Sequence, residues 1–385
     1  MKWSWQVARV AGIGIYIHIT FLLLPIWIGI AHFSVRRSWG DALAGVGFIL
    51  ILFGIVVLHE LGHAVTARRF GIGTRDITLL PIGGLARLER MPENPKQELL
   101  VALAGPAVNV CLAILVFAIL GAGNQFSELT QIGMVGSDLL TSLFWVNVAL
   151  AVFNMIPAFP MDGGRVLRSL LAMRFSYVRA TNVAARIGQG IAFLFAFLGL
   201  SSLFFGGFGP LANPFLIFIG LFVWVGAAQE AGLVQVKSAL GGVPVRQLMI
   251  KDFRTVTPQE PLARAVSHLL AGWQHDFPVL QEGYLVGLLT RTALVNGLAE
   301  HGPDALVGES MARDFPVIDP DETAENALIR LRTADSQTML AVRDGVLFGV
   351  LTNQNVGEYL LIRSALHGDP FAGRLGMRLA ESEAA

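Results

Sequence analysis

Sixteen consecutive uncharged, apolar residues, Leu43 to Leu58, run without interruption into His59-Glu60-Leu61-Gly62-His63. A stretch of this kind predicts a helix lying in lipid, because only a segment that satisfies its own backbone N–H and C=O groups is tolerated there. At a rise of 1.5 Å per residue, His59 stands about 24 Å along that helix. Two imidazoles and a carboxylate at such a depth cost several kcal/mol unless something satisfies them. The expected partners are a metal ion and a water molecule.

Composition points the same way. Of 385 residues, 54% are hydrophobic and 15% charged, and the mean hydropathy is +0.61, outside the range of ordinary soluble domains. Six apolar segments are marked by length, roughly 14–33, 42–67, 98–120, 138–158, 186–206 and 211–233, each near the ~20 residues of a spanning helix. The fold class expected is a polytopic α-helical membrane protein of about six transmembrane helices. The alternating GIGIYIHI at the head of the first segment reads as a strand before the helix starts. The N-terminal apolar stretch is too long for a signal peptide and lacks a small-x-small cleavage site, so it is read as retained.

Arginine and lysine set the expected orientation. Arg68, Arg69, Arg75, Arg87, Arg90 and Lys96 lie between segments two and three, and Arg165, Arg168, Arg174 and Arg179 between four and five. Both connections, and with them the N- and C-termini, are therefore expected on the cytoplasmic side of a plasma or inner membrane, against the vote of Arg36 and Arg37. Zero net charge argues against a nucleic-acid partner. The single cysteine, Cys111, excludes an intramolecular disulfide and a cysteine-based zinc site, and is expected to be a small buried residue.

Past residue 236 the chain turns soluble in composition and repeats itself. DFRTVTPQEPLARAVSHLL from Asp252 aligns with DFPVIDPDETAENALIRLR from Asp314, and GLLTRTAL from Gly287 with GVLTNQNV from Gly349, each pair offset by 62 residues. A duplicated strand–helix–strand–strand–helix unit follows. It resembles a tandem pair of cystathionine-beta-synthase (CBS) domains. The expected boundaries are 1–236 for a membrane domain, 237–242 for a linker, 243–302 and 303–365 for the two α+β CBS domains, and 366–385 for a poorly ordered tail. The resemblance implies an adenine nucleotide between the repeats and a homodimer through them. In repeats that hold a ribose, an acidic residue follows the threonine of the Gly-x-x-Thr segment by three positions; here Ala293 and Asn355 stand there. Neither is a carboxylate, though Asn355 can hydrogen-bond a hydroxyl.

In His-Glu-x-x-His the histidines are one helical turn apart and reach one zinc ion together, with Glu60 beside them as general base. A catalytic zinc usually has three protein ligands and an open position. The third candidate is Asp162, in FNMIPAFPMDGGR, where Pro157, Pro160, Gly163 and Gly164 break a helix on the same expected side of the membrane. Asn109 is expected to hydrogen-bond between helices, and His18 to be a packed or interfacial histidine. The rival reading is a CBS-regulated ion channel or transporter with His59, Glu60, His63 and Asp162 along a cation path.

Together His59 to His63, Gly83-Gly84-Leu85-Ala86-Arg87, Gly105-Pro106 with Asn109, and Asn154 through Asp162-Gly163-Gly164 resemble the motif series of the site-2 protease family of intramembrane zinc metalloproteases, in its branch with C-terminal CBS domains. The resemblance implies His59, His63 and Asp162 as zinc ligands, Glu60 as catalytic acid/base, a core of the three central helices, and a transmembrane protein as substrate. It also points to Asn154 as the oxyanion donor. A helical peptide bond must be unwound before attack, and the hairpin or re-entrant strand pair around Gly83 and Gly84 is the expected edge for the unwound substrate.

Overall fold

The computed structural model describes residues 3–89, 92, 94–123, 139–205, 213–272, 274–333, 336 and 338–367. It divides into two compact units, Met1–Ala231 and Gly232–Ala385. All but the first two residues of the expected tail lie outside the described residues.

The first unit opens with a sheet. Strands β1 (Ser4–Val10) and β2 (Ile13–His18) form an antiparallel hairpin through Ala11 and Gly12, both at positive φ. Parallel to β2 runs β3 (Thr74–Leu80), which pairs antiparallel with β4 (Gly83–Leu88), giving the order β1-β2-β3-β4. The alternation of GIGIYIHI is thus a strand, with Ile13 and Ile15 buried. Because β2 uses those residues, the first apolar segment reaches helix only at α1 (Leu23–Arg36).

Helix α2 (Trp39–Arg69) is started by Ser38, whose Oγ accepts from the Asp41 amide, and α3 (Pro95–Ala122) by Asn94, with Pro95 in its first turn. Then follow α4 (Leu139–Asn154), α5 (Asp162–Ala172), α6 (Tyr177–Phe205) and α7 (Leu216–Leu240). Among the described residues α2, α3, α6 and α7 are long and apolar enough to cross a membrane, while α1 and α4 are shorter apolar helices. Six segments were expected; α4 ends at Asn154 because prolines 157 and 160 cannot continue it. Cys111 of α3, expected to be buried, is exposed.

Helices α2 and α3 approach backbone to backbone. A Cβ on Gly62 would stand 2.8 Å from the Ala104 carbonyl oxygen, so glycine sets the interaxial distance. Helix α5 is clamped by charge. Arg168, fully buried, donates to Glu98 of α3 and, at 2.5 Å, to Glu230 of α7, with its guanidinium 5.0 Å from the rings of Phe159 and Tyr177. Removing one partner of a buried ion pair leaves an uncompensated charge, typically 3–5 kcal/mol. Arg168→Met is therefore expected to destabilise the membrane unit by about 3–5 kcal/mol, read as a drop in the detergent or thermal unfolding midpoint. Glu98→Gln combined with Arg168→Met should recover much of the loss.

In the second unit the repeat is physical. Helix α8 (Leu262–Leu270), β5 (Phe277–Gln281), β6 (Tyr284–Leu289) and α9 (Arg291–His301) are matched by α11 (Ala324–Thr333), β8 (Thr338–Arg343), β9 (Val346–Thr352) and α12 (Asn353–His367), with the short α10 (Val307–Ser310) and β7 (Val317–Ile318) between. Each half lends its leading segment to the other. Val243, Val245 and Leu248 are buried among Ile318, Leu331 and Leu351, and Val307 lies with Leu262, Phe277 and Leu294. Arg343 clasps Asp319 and Asp321; its hydrogen bonds hold the Asp319 carboxyl down to about 2. That clasp stays ionised at physiological pH.

Candidate metal centre

On α2, His59 and His63 face the same way, as their spacing requires, with ring centroids 4.8 Å apart and both side chains buried. Their Nε2 atoms are 3.1 Å apart, and Asp162 Oδ2 lies 3.2 Å from one and 3.1 Å from the other. Three ligands placed tetrahedrally at the 2.0–2.2 Å of zinc–nitrogen and zinc–oxygen bonds would be about 3.3–3.6 Å apart. The three donor atoms thus lie within about 0.5 Å of the spacing of one face of such a tetrahedron, and the set His, His, Asp is one zinc takes. Among the described residues this is the cluster of histidine, cysteine and carboxylate groups with metal-holding geometry.

The local sequence explains why Asp162 arrives there. After α4 ends at Asn154, residues 155–161 fold back in tight turns closed by Ala158 N–H to Ile156 O and Met161 N–H to Ala158 O. Asp162 then opens α5, a position that suits a carboxylate near the helix's positive end. A Cβ on Gly163 would be 2.3 Å from the Ile156 carbonyl oxygen, and one on Gly164 would be 2.6 Å from Ala158 carbonyl carbon. Only glycine lets the turn lie against the helix start. Gly163→Ala is expected to displace Asp162 and weaken metal binding about 10–100-fold, the range for groups that orient a ligand; chelator competition measures it.

Each imidazole also has its other nitrogen occupied. His63 Nδ1 meets the Val101 carbonyl at 2.7 Å, and His59 Nδ1 meets Asn109 Oδ1 at 2.5 Å. A carbonyl can only accept, so His63 carries its proton on Nδ1 and presents a lone pair at Nε2. Gly105 of α3 faces both rings: a Cβ there would stand 2.2 Å from His63 Nε2 and 2.6 Å from His59 Nε2.

Glu60 follows His59 on α2 and is half-buried. A Cβ on Gly84 would stand 3.0 Å from Glu60 Cγ, so the start of β4 lies directly on this side chain. Gly83, at φ +139, makes the turn into β4. Asn154 hydrogen-bonds within its own helix: its Nδ2 donates to the Leu150 carbonyl at 3.0 Å. His18 caps a short turn by accepting from Thr20 N–H. Sequence reading missed Asn147, which receives a 3.1 Å hydrogen bond from Asn109 Nδ2. Its signal was available: Asn147, Ala151 and Asn154 share one face of an apolar helix. The Val101 carbonyl, a backbone group, left none.

Fold and site together give a chain of apolar helices long enough to cross a membrane and a buried histidine–histidine–aspartate cluster with the geometry to hold a metal ion, features that fit the class of zinc metalloproteases. Residues 47–197 match the model of Peptidase family M50, and residues 245–300 that of the CBS domain. Zinc metalloprotease MJ0392 of Methanocaldococcus jannaschii is 32% identical over 358 residues, covering 92% of this chain and 96% of that protein. Stage IV sporulation protein FB of Bacillus subtilis is 31% identical over 133 residues, 34% of this chain and 43% of its own. Among solved structures, a site-2 protease from Methanocaldococcus jannaschii is 37% identical, with a TM-score of 0.42, over 60% of this chain and 95% of that one. The chain belongs to peptidase family M50, the site-2 proteases, and is a zinc metalloprotease. That membership decides between hydrolysis and a conduction path in favour of hydrolysis.

Proposed function

We propose that this protein hydrolyses peptide bonds within transmembrane segments of other membrane proteins, with His59, His63 and Asp162 holding one zinc ion and Glu60 moving the proton. The observation that carries the reading is the buried triangle of Nε2, Nε2 and Oδ2 atoms with edges of 3.1–3.2 Å. Zinc held there supplies Lewis acidity to a peptide carbonyl. Glu60, adjacent in sequence to His59 and lying under β4, takes a proton from the attacking water at its carboxylate and returns it to the leaving amine.

Asn154 uses one of its two amide hydrogens on Leu150; the second is the donor we assign to the oxyanion. Asn154→Ala is expected to lower kcat about 10²–10³-fold while leaving zinc content and KM near wild type. An unchanged kcat would return Asn154 to a purely structural role at the end of α4.

Strand β4 ends the sheet order, so its outer edge is the place for an unwound substrate strand, above Glu60. Proline scanning of residues 78–88 tests this. Loss of cleavage is expected where an outward N–H is removed, and full cleavage by every folded variant would eliminate edge pairing.

Catalysis is assigned to residues 1–236 and regulation to the repeats 243–302 and 303–365, in a cell-membrane protein with both termini cytoplasmic. Regulation by an adenine nucleotide is our reading of the CBS match over residues 245–300; in the second repeat Asn355 Oδ1 already accepts from Thr352 Oγ1 at 2.7 Å, so a ribose hydroxyl there would be met by the Asn355 NH₂. Calorimetry of the full chain with ATP, ADP and AMP reads it directly; no heat from any of the three would retire the sensor, and with it the homodimer proposed through these domains would need its own test by sedimentation.

A further inference from the structure

We infer that Asn147 is a positioning residue for the metal centre, fixing which nitrogen of His59 carries the proton. The inference rests on the zinc reading above. A neutral imidazole donates from one nitrogen and accepts at the other, so His59 offers zinc a lone pair at Nε2 only while its proton sits on Nδ1. What lies against Nδ1 is the side-chain amide of Asn109, at 2.5 Å. An amide has two faces. With its oxygen toward Nδ1 it demands the useful tautomer; turned over, its NH₂ demands the other one, and Nε2 becomes a donor that cannot bind a cation.

The choice is made two links away. Asn109 Nδ2 donates to Asn147 Oδ1 at 3.1 Å, and Asn147 Nδ2 donates to the Leu143 carbonyl at 2.9 Å. The Leu143 oxygen can only accept, so the NH₂ of Asn147 must face it. Its Oδ1 is thereby forced toward Asn109, the NH₂ of Asn109 toward Asn147, and the oxygen of Asn109 toward His59. Turning any one amide sets oxygen against oxygen or NH₂ against NH₂. Asn109 and Asn147 are both fully buried, so no solvent absorbs the mismatch and the whole relay holds one polarity. His63 needs no such device, because the Val101 carbonyl meets its Nδ1 directly. A backbone carbonyl on α4 thus sets the tautomer of a histidine on α2 through two asparagines.

Asn147→Leu should weaken zinc binding about 10–100-fold by chelator competition on the full chain. The decisive control is the same substitution in an Asn109→Asp background. A carboxylate offers His59 an oxygen whichever way it is turned, so Asn147→Leu should then change zinc affinity by less than about 2-fold. An equal loss in both backgrounds would mean that Asn147 acts through packing, and would overturn the proposal. Should Asn147→Leu fail to fold, ¹⁵N-histidine NMR of metal-free Asp162→Ala at alkaline pH reads the tautomer without the carboxylate that lies 3.2 Å from His59 Nε2. In that background His59 is expected to carry Nδ1–H, with Asn147 intact and with Asn147→Asp, which still presents oxygen to Asn109; Nε2–H with Asn147 intact would refute the relay. Nδ1–H there, with a wild-type protein that takes up no zinc, would uphold the relay and refute the metal reading instead.

Discussion

Replacing Glu60 with glutamine is expected to abolish detectable cleavage of a single-span substrate, a loss of about 10²–10⁴-fold for the missing general base, while the protein keeps its full zinc content. Glutamine has the shape of glutamate and fills the same space under Gly84, so β4 and α2 stay in place. It cannot accept a proton. None of the three converging donor atoms belongs to residue 60, which is why binding and turnover should separate. Reconstituted wild type and Glu60→Gln, compared for zinc by mass spectrometry and for product on gels, give the result. Retained cleavage would remove Glu60 from the mechanism.

The second large effect is expected at Gly105. A methyl group there would lie 2.2 Å from His63 Nε2 and 2.6 Å from His59 Nε2, inside the space where the imidazoles converge. To make room, helix α3 would have to move off α2 and give up the close approach of Gly62 to the Ala104 carbonyl. Gly105→Ala should therefore weaken zinc binding by at least about 100-fold, the upper end of what lesser disturbances cost, and activity with it. Gly54 on the same α2 supplies the contrast. A Cβ there meets nothing within 4 Å, so Gly54→Ala should leave zinc and activity as in wild type. If Gly105→Ala bound zinc normally, the described packing of α3 on the histidines would be wrong.

Much of this centre is legible in the sequence because its logic is periodic. Histidines one turn apart on an apolar helix must share a face, and a proline- and glycine-broken segment carrying Asp162 is the natural source of a third donor. The CBS repeat is equally visible, since its two copies keep one spacing through α8 and α11, β6 and β9, α9 and α12. What the sequence hides is what depends on backbone groups or on distant chain. The Val101 carbonyl that orients His63 has no residue signature. Strand β1 pairs only because β2 lies beside it, and its exposed residues show little pattern. The exchange of leading segments between the repeats follows from chain path rather than from local preference. Asn147 lay between these cases: the heptad step to Asn154 was there to be read, but the meaning of the pair came only with Asn109 across the helix interface.

The central claim is that one zinc ion is held by His59, His63 and Asp162, and X-ray absorption at the zinc edge tests it most directly. The purified chain should contain one zinc, with two imidazole nitrogens at about 2.0–2.1 Å and a carboxylate oxygen at about 2.0–2.2 Å, and Asp162→Ala should lose the oxygen shell or the metal. A spectrum without imidazole ligands, or one left unchanged by Asp162→Ala, would contradict it.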